Sequence, residues 1–383
     1  MNSTKSFKIG LVLDDGLDKP DGVQQYILGV GEWLRNQGHD VHYLVGESKR
    51  TDITGLHSMS RNIMVRFNGN QLTMPLPTSR RKLRKFLDAE QFDVLHIQVP
   101  YSPFMGHRLI QAAGPRTAVV GTFHIAPNTG IVTLGTKALG IWLKSSLKRF
   151  DDMMSVSPAA LNFARATFKV ESTISPNVIE YPRFHTAKPF EKYADDTLTI
   201  LFLGRLVSRK GCHLLLEAVA QLAKQADLPK FRLVICGKGH LEAKLREYAM
   251  QQGIEDRVEF TGFVTEEDKP RYYASADISV FPSSGGESFG IVLLEAMASG
   301  RAAVLAGDNP GYRSVLHQNP ELLFDPQNAD ALAKKLAIYL RDEALRKQMA
   351  DWGEDYTKGF DVDVVGRQLQ DIYSKALRKR RDQ

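Results

Sequence analysis

The strongest chemical signal in the chain is one run of twelve residues, Gly285-Gly286-Glu287-Ser288-Phe289-Gly290-Ile291-Val292-Leu293-Leu294-Glu295-Ala296. Two carboxylates, Glu287 and Glu295, stand eight residues apart in it. The paired glycines predict a flexible loop, and the apolar stretch after them predicts a helix over Phe289–Ser299. The first amides of such a helix lack intrahelical partners and carry the positive end of its dipole, so Phe289, Gly290 and Ile291 form an anion site, with Ser288 beside them. Gly290 lets a ligand oxygen approach the backbone. Glu287 lies just ahead of the anion position. Glu295 lies two turns along, where a carboxylate can accept two hydrogen bonds from a vicinal diol. Hydroxyls, then phosphates, then hydroxyls describe a sugar nucleotide. A bare Glu-x7-Glu would read as two solvated helix glutamates; the Gly-Gly before and the Ser-Phe-Gly inside set this one apart.

Arg205 and Lys210 follow the apolar strand Thr199–Leu203, at its carboxyl end. Two cations there suit a diphosphate, because breaking a glycosyl–diphosphate bond builds charge on the leaving group and something must stabilise it. No Asp-x-Asp metal pair is read, so fixed cations take that role and no metal or cofactor is expected. Gly22 ends the loop Asp14–Gly22 and opens a helix, a second start that could meet phosphate. His124 follows the strand Ala118–Phe123, although a lone histidine is more often a packing or surface residue. There is no Gly-x4-Gly-Lys-Ser/Thr phosphate loop. Gly237-Lys238-Gly239 has Glu242 where the dinucleotide fingerprint needs its third glycine, which argues against a dehydrogenase.

These residues must be held by elements, and the pattern around them is repetitive. A strand at Phe7–Leu13, a helix at Val23–Gln37 and a strand at Val41–Val45 make a β-α-β unit. Strands at Val94–Ile97, Ala118–Phe123 and Met153–Val156 continue it, with helices around Phe104–Ala113 and Leu134–Phe150. The alternation restarts at Thr199 and runs to Leu305. The fold class is therefore α/β, with two doubly wound halves. The expected domains are 1–178, 179–360 and a C-terminal helix with a basic tail, 361–383, packing back across the linker. Ligands of such sheets bind beyond the carboxyl ends of the strands, so a cleft between the halves is the expected site. The helix Ser79–Glu90 puts Arg80, Arg81, Arg84 and Lys85 on one side and Leu83, Phe86 and Leu87 on the other, the pattern of a surface anchor for anionic lipid. A solvated charged face over a core stripe would give the same pattern.

Composition bounds the rest. The 383 residues carry 50 Lys plus Arg against 44 Asp plus Glu, a net charge of +6. That excess favours anionic ligands or surfaces without marking a nucleic-acid binder. No apolar run reaches the length of a membrane span. Cys212 and Cys236 fit a reducing compartment rather than a disulfide, and no signal peptide is read at the N-terminus, so a cytoplasmic protein is expected.

The run Gly285–Gly300 resembles the signature of the retaining glycosyltransferases of family 4, which have the two-Rossmann GT-B architecture. The resemblance extends through Pro20-Asp21-Gly22-Val23-Gln24, Asp93-Val94-Leu95-His96-Ile97, Thr122-Phe123-His124, and Phe202-Leu203-Gly204-Arg205 with Lys210-Gly211. Among subgroups the chain is most similar to the mycobacterial phosphatidylinositol mannosyltransferases. The resemblance implies a hexose donor such as GDP-mannose or UDP-glucose, held by Gly22, Arg205, Lys210, Glu287, Ser288, Phe289, Gly290, Ile291 and Glu295. It implies catalytic roles for His124, Arg205, Lys210 and Glu287, with His124 positioning or polarising rather than attacking. It also implies a lipid or glycolipid acceptor, an anionic membrane as partner, and peripheral attachment to the inner face of the cell membrane. Two departures stand out. The family's Gly-Gly is Asp21-Gly22 here, and the tyrosine that stacks near an inositol acceptor is matched by Asp15. The same transfer to a soluble acceptor, or a sugar-nucleotide epimerase of this fold, are the competing readings.

Overall fold

Parallel β-sheet order follows from the apolar strands, which are buried on both faces and so must be covered by helices on both sides. In the computed structural model, residues 6–18, 21–67, 70–76, 78–124, 139–140 and 142–382 are described. They fall into two units, one of residues 1–178 with 362–383 and one of residues 179–361.

The first unit starts with β1 (Lys8–Leu13), α1 (Gly22–Asn36), β2 (Asp40–Val45), β3 (Leu56–Ser58) and a hairpin of β4 (Asn62–Phe67) with β5 (Asn70–Pro75). It continues with α2 (Arg80–Glu90), β6 (Val94–Gln98), α3 (Met105–Ala112), β7 (Ala118–Phe123), α4 (Lys144–Leu147), β8 (Asp152–Ser155), α5 (Pro158–Phe163) and β9 (Thr173–Ile174). Its seven-stranded sheet runs β3-β2-β1-β6-β7-β8-β9, and its described ladders are parallel. The strand order turns back between β1 and β6, which opens a crevice beyond their carboxyl ends.

The second unit holds α6 (Tyr181–His185), β10 (Leu198–Leu203), α7 (Cys212–Leu222), β11 (Phe231–Cys236), α8 (Glu242–Gln251), β12 (Val258–Gly262), α9 (Lys269–Ala274) and β13 (Ile278–Phe281). Then come α10 (Ile291–Ala298), β14 (Ala303–Gly307), α11 (Pro310–Leu316), β15 (Leu323–Phe324), α12 (Ala329–Arg341) and α13 (Glu343–Thr357). Its six-stranded sheet runs β12-β11-β10-β13-β14-β15, so the order reverses between β10 and β13. The loops leaving those two strands carry Arg205–Lys210 and Ser283–Gly290.

The last helix, α14 (Val362–Arg381), returns to the first unit, where Val365, Leu369, Tyr373 and Leu377 are buried in the core with Ile9, Leu11, Tyr26 and Trp33. Its last turn is the basic run Arg378–Arg381. Two of those cations are engaged there: Arg380 pairs with Asp151 at 2.6 Å and Lys379 donates to the Asp151 carbonyl. The expected helix Leu134–Phe150 is described only in part; within it, Lys144–Leu147 is helical and residues 134–138 and 141 lie outside the described residues. The hairpin β4–β5 has no counterpart in the sequence reading.

Candidate active site

In the second unit, β10 and β13 deliver their loops to neighbouring positions, because they pair in parallel at the point of strand reversal. The β10 loop brings Arg205, Arg209 and Lys210; the β13 loop brings Ser283 and Glu287. Lys210 Nζ lies 2.8 Å from Glu287 Oε1, Arg209 Nη1 donates to the same oxygen at 2.7 Å, and the Ser283 hydroxyl donates to it at 2.8 Å. Burial alone would raise the Glu287 carboxyl, but Lys210, Arg209 and Ser283 outweigh it and hold it below its ordinary value. Arg205 stays exposed at the start of the loop. Two cations thus face one carboxylate, and Arg205 is close enough to add, after burial and Arg209, to the lowering of the Lys210 ammonium's pKa; the excess of positive charge suits a doubly charged phosphate group.

Arg209 is absent from the sequence reading. Its signal was faint but present: the short turn Ser208–Lys210 places two adjacent cations before Gly211, and both can then reach one acceptor.

The helix after the loop begins at Ile291, two residues later than expected. Gly290 is its cap, with φ of +116°, and a Cβ there would come 2.7 Å from the Tyr312 ring. Glycine is therefore demanded by the local backbone and by Tyr312, whatever a ligand also needs. Phe289 is buried and its ring faces Phe360 at 6.0 Å, so its side chain serves the core. The open amides belong to the first turn that starts at Ile291.

Glu295 accordingly lies one turn into the helix, not two. It is 5% exposed, and both oxygens have donors: Lys269 Nζ at 2.7 Å and the Tyr273 hydroxyl at 3.1 Å. Lys269 also reaches Glu266 at 2.8 Å. Burial lowers the Lys269 ammonium's pKa, yet Glu295 and Glu266 more than compensate and raise it. Glu295 is thus half of a buried ion pair rather than a freely available carboxylate, although each of its oxygens keeps a further lone pair.

In the first unit, Gly22 is the first residue of α1, and nothing lies within 4 Å of where its Cβ would stand. Space is open in front of that helix start. Asp15 accepts from its neighbour's amide, Gly16 N, at 2.7 Å and is reached by Gln24 Nε2 at 3.5 Å. Asp14 accepts from the Ser102 hydroxyl and, at 2.6 Å, from Gly106 N near the start of α3; burial pushes its carboxyl up to about 6 against those two bonds.

His124 is 3% exposed, and its Nε2 lies 2.6 Å from Gln98 Oε1. An amide oxygen only accepts, so Nε2 is a protonated nitrogen. Burial pushes its pKa down to about 3. The Tyr26 ring meets it edge-on at 4.9 Å. His96, from the motif Asp93–Ile97, is a second buried histidine, bridging the Tyr373 hydroxyl and Thr122 Oγ1 at 2.7 Å each. It ties α14 to the sheet.

On α2, Leu83 and Leu87 are buried and Arg80, Arg81, Arg84 and Lys85 are exposed. An Asp-x-Asp string does occur, at Asp361-Val362-Asp363, contrary to the sequence reading. Asp363 accepts from Trp33 Nε1, and among the described residues no cluster of three His, Cys, Asp or Glu could hold a metal ion. No described helix is long and apolar enough to cross a membrane.

Comparison with known proteins agrees with this geometry. Residues 20–180 match the family described as Glycosyltransferase Family 4, and residues 185–355 match Glycosyl transferases group 1. The chain is 33% identical over 371 residues to the phosphatidyl-myo-inositol mannosyltransferase of Mycolicibacterium smegmatis, covering 96% of this chain and 93% of that protein. It is 32% identical over 375 residues to the enzyme of the same name from Mycobacterium tuberculosis, covering 96% of each chain. Among solved structures, a glycosyltransferase from Rickettsia africae superposes with a TM-score of 0.77 at 17% identity over 98% of this chain and 99% of that one. The Anabaena protein HepE in complex with UDP gives 0.69 at 16% identity over 96% and 99%. These structural likenesses carry the GT-B fold, and the near-complete match to the mannosyltransferases carries the family: the chain is a glycosyltransferase of family 4, an enzyme that transfers a sugar from a nucleotide-sugar donor.

Proposed function

We propose that this enzyme moves a hexose, mannose in the first instance, from a nucleotide-diphosphate donor to a lipid acceptor at an anionic membrane, with retention of anomeric configuration and without a metal. The observation that carries the donor half is the convergence of Arg209 and Lys210 on Glu287, with Arg205 exposed earlier in the same loop, at the strand reversal of the second unit. In the proposed step the C1–O bond to the diphosphate breaks and its electron pair stays with the leaving oxygen. The acceptor oxygen bonds to C1 on the same face, and its proton passes to the leaving phosphate. Arg205, Lys210 and the first amides of α10 stabilise the charge that grows there. Glu287 and Glu295 bind donor hydroxyls. His124, neutral, positions the sugar and does not attack.

Mannose and an inositol lipid are supported by the names of the relatives, about one third identical to this chain. Asp15 favours a second reading, transfer to a soluble acceptor, because it puts a carboxylate where the resembled inositol enzymes carry an aromatic ring.

The test is a panel of GDP-mannose, UDP-glucose and related donors in calorimetry, followed by NMR of the product's anomeric centre with EDTA present. Lys210→Ala and Arg205→Ala are each expected to lower turnover by about 10²–10³ with little change in donor affinity, as for loss of one oxyanion donor. Wild-type turnover in both variants, or an inverted product, would overturn the proposal.

A further inference from the structure

Two neighbouring strands of the first unit carry a buried polar ladder. His96 and Gln98 stand two apart on β6 and so share a face, and Thr122 pairs with Gln98 in register on β7, which ends just before His124. None of the four is more than 3% exposed. The lower rung is closed, because the Tyr373 hydroxyl and Thr122 Oγ1 take both nitrogens of His96. The upper rung is open. Gln98 Oε1 accepts the His124 Nε2 proton at 2.6 Å, but Gln98 Nε2 has no partner among the described residues. Asn177, also buried, hydrogen-bonds the His124 ring, and its Oδ1 is likewise unpaired among the described residues. Buried amide groups are seldom left so. Backbone strain marks the same spot. Val99, next after Gln98, has φ of +56°, a left-handed conformation that a β-branched residue resists. Its amide donates to the Thr122 carbonyl at 3.1 Å and its carbonyl accepts from Ser102 N at 2.9 Å, which holds it there. Strain of this kind persists only where the surroundings enforce it, and it clusters at functional sites.

We propose that Gln98 is a positioning residue for sugar transfer: it holds His124 as the Nε2–H tautomer and offers its spare amide N–H to an oxygen of the transferred hexose. The inference rests on the sugar-positioning role given to His124 above and adds the residue that sets it. A neutral imidazole protonated at Nε2 can only accept at Nδ1. The Asn177 amide therefore meets the ring with its NH2 end, which leaves Oδ1 as the unpaired atom. His124 is thus held by two amides, and their open ends are one donor and one acceptor. Sugar hydroxyls, which both donate and accept, match that pair. A histidine that served packing alone would need neither an open amide nor a strained residue beside it; His96, with both nitrogens closed, is that case on the same strand.

Nitrogen NMR of the full chain with labelled histidine, assigned against His124→Gln, reads the tautomer directly. Wild type should show His124 as Nε2–H, without titration between about pH 5 and 8. Gln98→Met should let the Nδ1–H tautomer appear. Gln98→Glu, close in shape, should keep Nε2–H but bring titration into that window, because a carboxylate beside the ring favours its charged form. It also lacks the spare N–H. Release of nucleoside diphosphate from GDP-mannose or UDP-glucose should therefore fall about 10²-fold in both variants. Calorimetric affinity for GDP and UDP should stay unchanged, since those contacts belong to the second unit. An unaltered tautomer in Gln98→Met would overturn the role. So would wild-type turnover in Gln98→Glu, which would reduce Gln98 to packing. If the wild-type chain bound neither GDP nor UDP and consumed neither donor, the donor reading would fall and this inference with it; normal turnover with a His124 indifferent to Gln98 would fell this inference alone.

Discussion

His124, His96 and Asp14 are the most strongly shifted buried groups of the first unit below neutrality, and their signs differ. Both histidines are pushed from 6.5 to about 3 by burial, so the unfolded chain binds two more protons than the native unit between those values. The stability they contribute is present above pH 6.5 and is lost as pH falls toward 3. Asp14 is raised from 3.8 to about 6, so its contribution is present below 3.8 and lost as pH rises through 6. Between about pH 4 and 6 two groups oppose one. From these three groups the net slope is that of one proton, about 1.4 kcal/mol per pH unit, with stability rising toward neutrality, and His39, His57 and His107, each lowered by burial, add to it in the same direction. Urea unfolding of a Trp352→Phe variant, which leaves Trp33 and Trp142 as reporters in the first unit, is expected to show this slope. His124→Gln should reduce it by the slope of one proton, about 1.4 kcal/mol per pH unit. A profile already flat in the parent would contradict the burial of these rings. Residue identity alone could not have shown this: the sequence marks His124 and His96 as motif residues, but only the neighbouring Gln98, Tyr26 and Tyr373 make them neutral.

At the scale of elements, the sequence was legible where apolar period and glycine agree, and less so where tertiary contacts decide. β1 and β10 lie within one residue of where their apolar runs predict. The start of α10 does not, because Gly290 adopts a left-handed backbone that the apolar pattern cannot reveal, and the helix begins after it. The hairpin β4–β5 went unread although Ile63, Val65 and Phe67 alternate with Asn62, Met64 and Arg66 in its first strand. Arg209 went unnoticed because its role depends on the β13 loop arriving beside it. That arrival has a structural cause in α11. The Glu287 backbone rests directly on Gly311, where a Cβ would overlap the Glu287 carbonyl. Gly311→Ala should therefore displace the loop and pull Glu287 from Lys210 and Arg209. Donor affinity is expected to fall by about tenfold or more, equivalent to about 1.4 kcal/mol, while the melting temperature changes modestly. Unchanged donor affinity in calorimetry would mean that the loop does not depend on this contact.

Across the whole molecule, the two β-α-β series could be read from alternation alone, because parallel strands need covered faces and crossover helices, whereas the order of strands within each sheet could not. The assignment of the last helix could not, since an amphipathic segment does not say which core it enters. The contacts do: α14 buries Val365, Leu369, Tyr373 and Leu377 in the first unit, donates or accepts with His96 through Tyr373, and accepts from Trp33 through Asp363. The chain thus leaves the first unit after Val178 and comes back at Val362. Four buried side chains at about 1.5–3 kcal/mol each give roughly 6–12 kcal/mol. A domain's entire stability is about 5–15 kcal/mol, so the helix is not an accessory. Removing residues 362–383 is expected to unfold or loosen the first unit. Hydrogen exchange should lose protection in β1, β6 and β7 and keep it in β10, β11 and β13, and donor binding by the second unit should persist. The milder Tyr373→Phe, which removes one hydrogen bond to His96, should cost about 1 kcal/mol, confined to the same strands. If the truncated chain kept full protection in β6 and β7, the first unit would be complete without its returning helix, and the burial of Leu369 and Tyr373 would count for far less than their area implies.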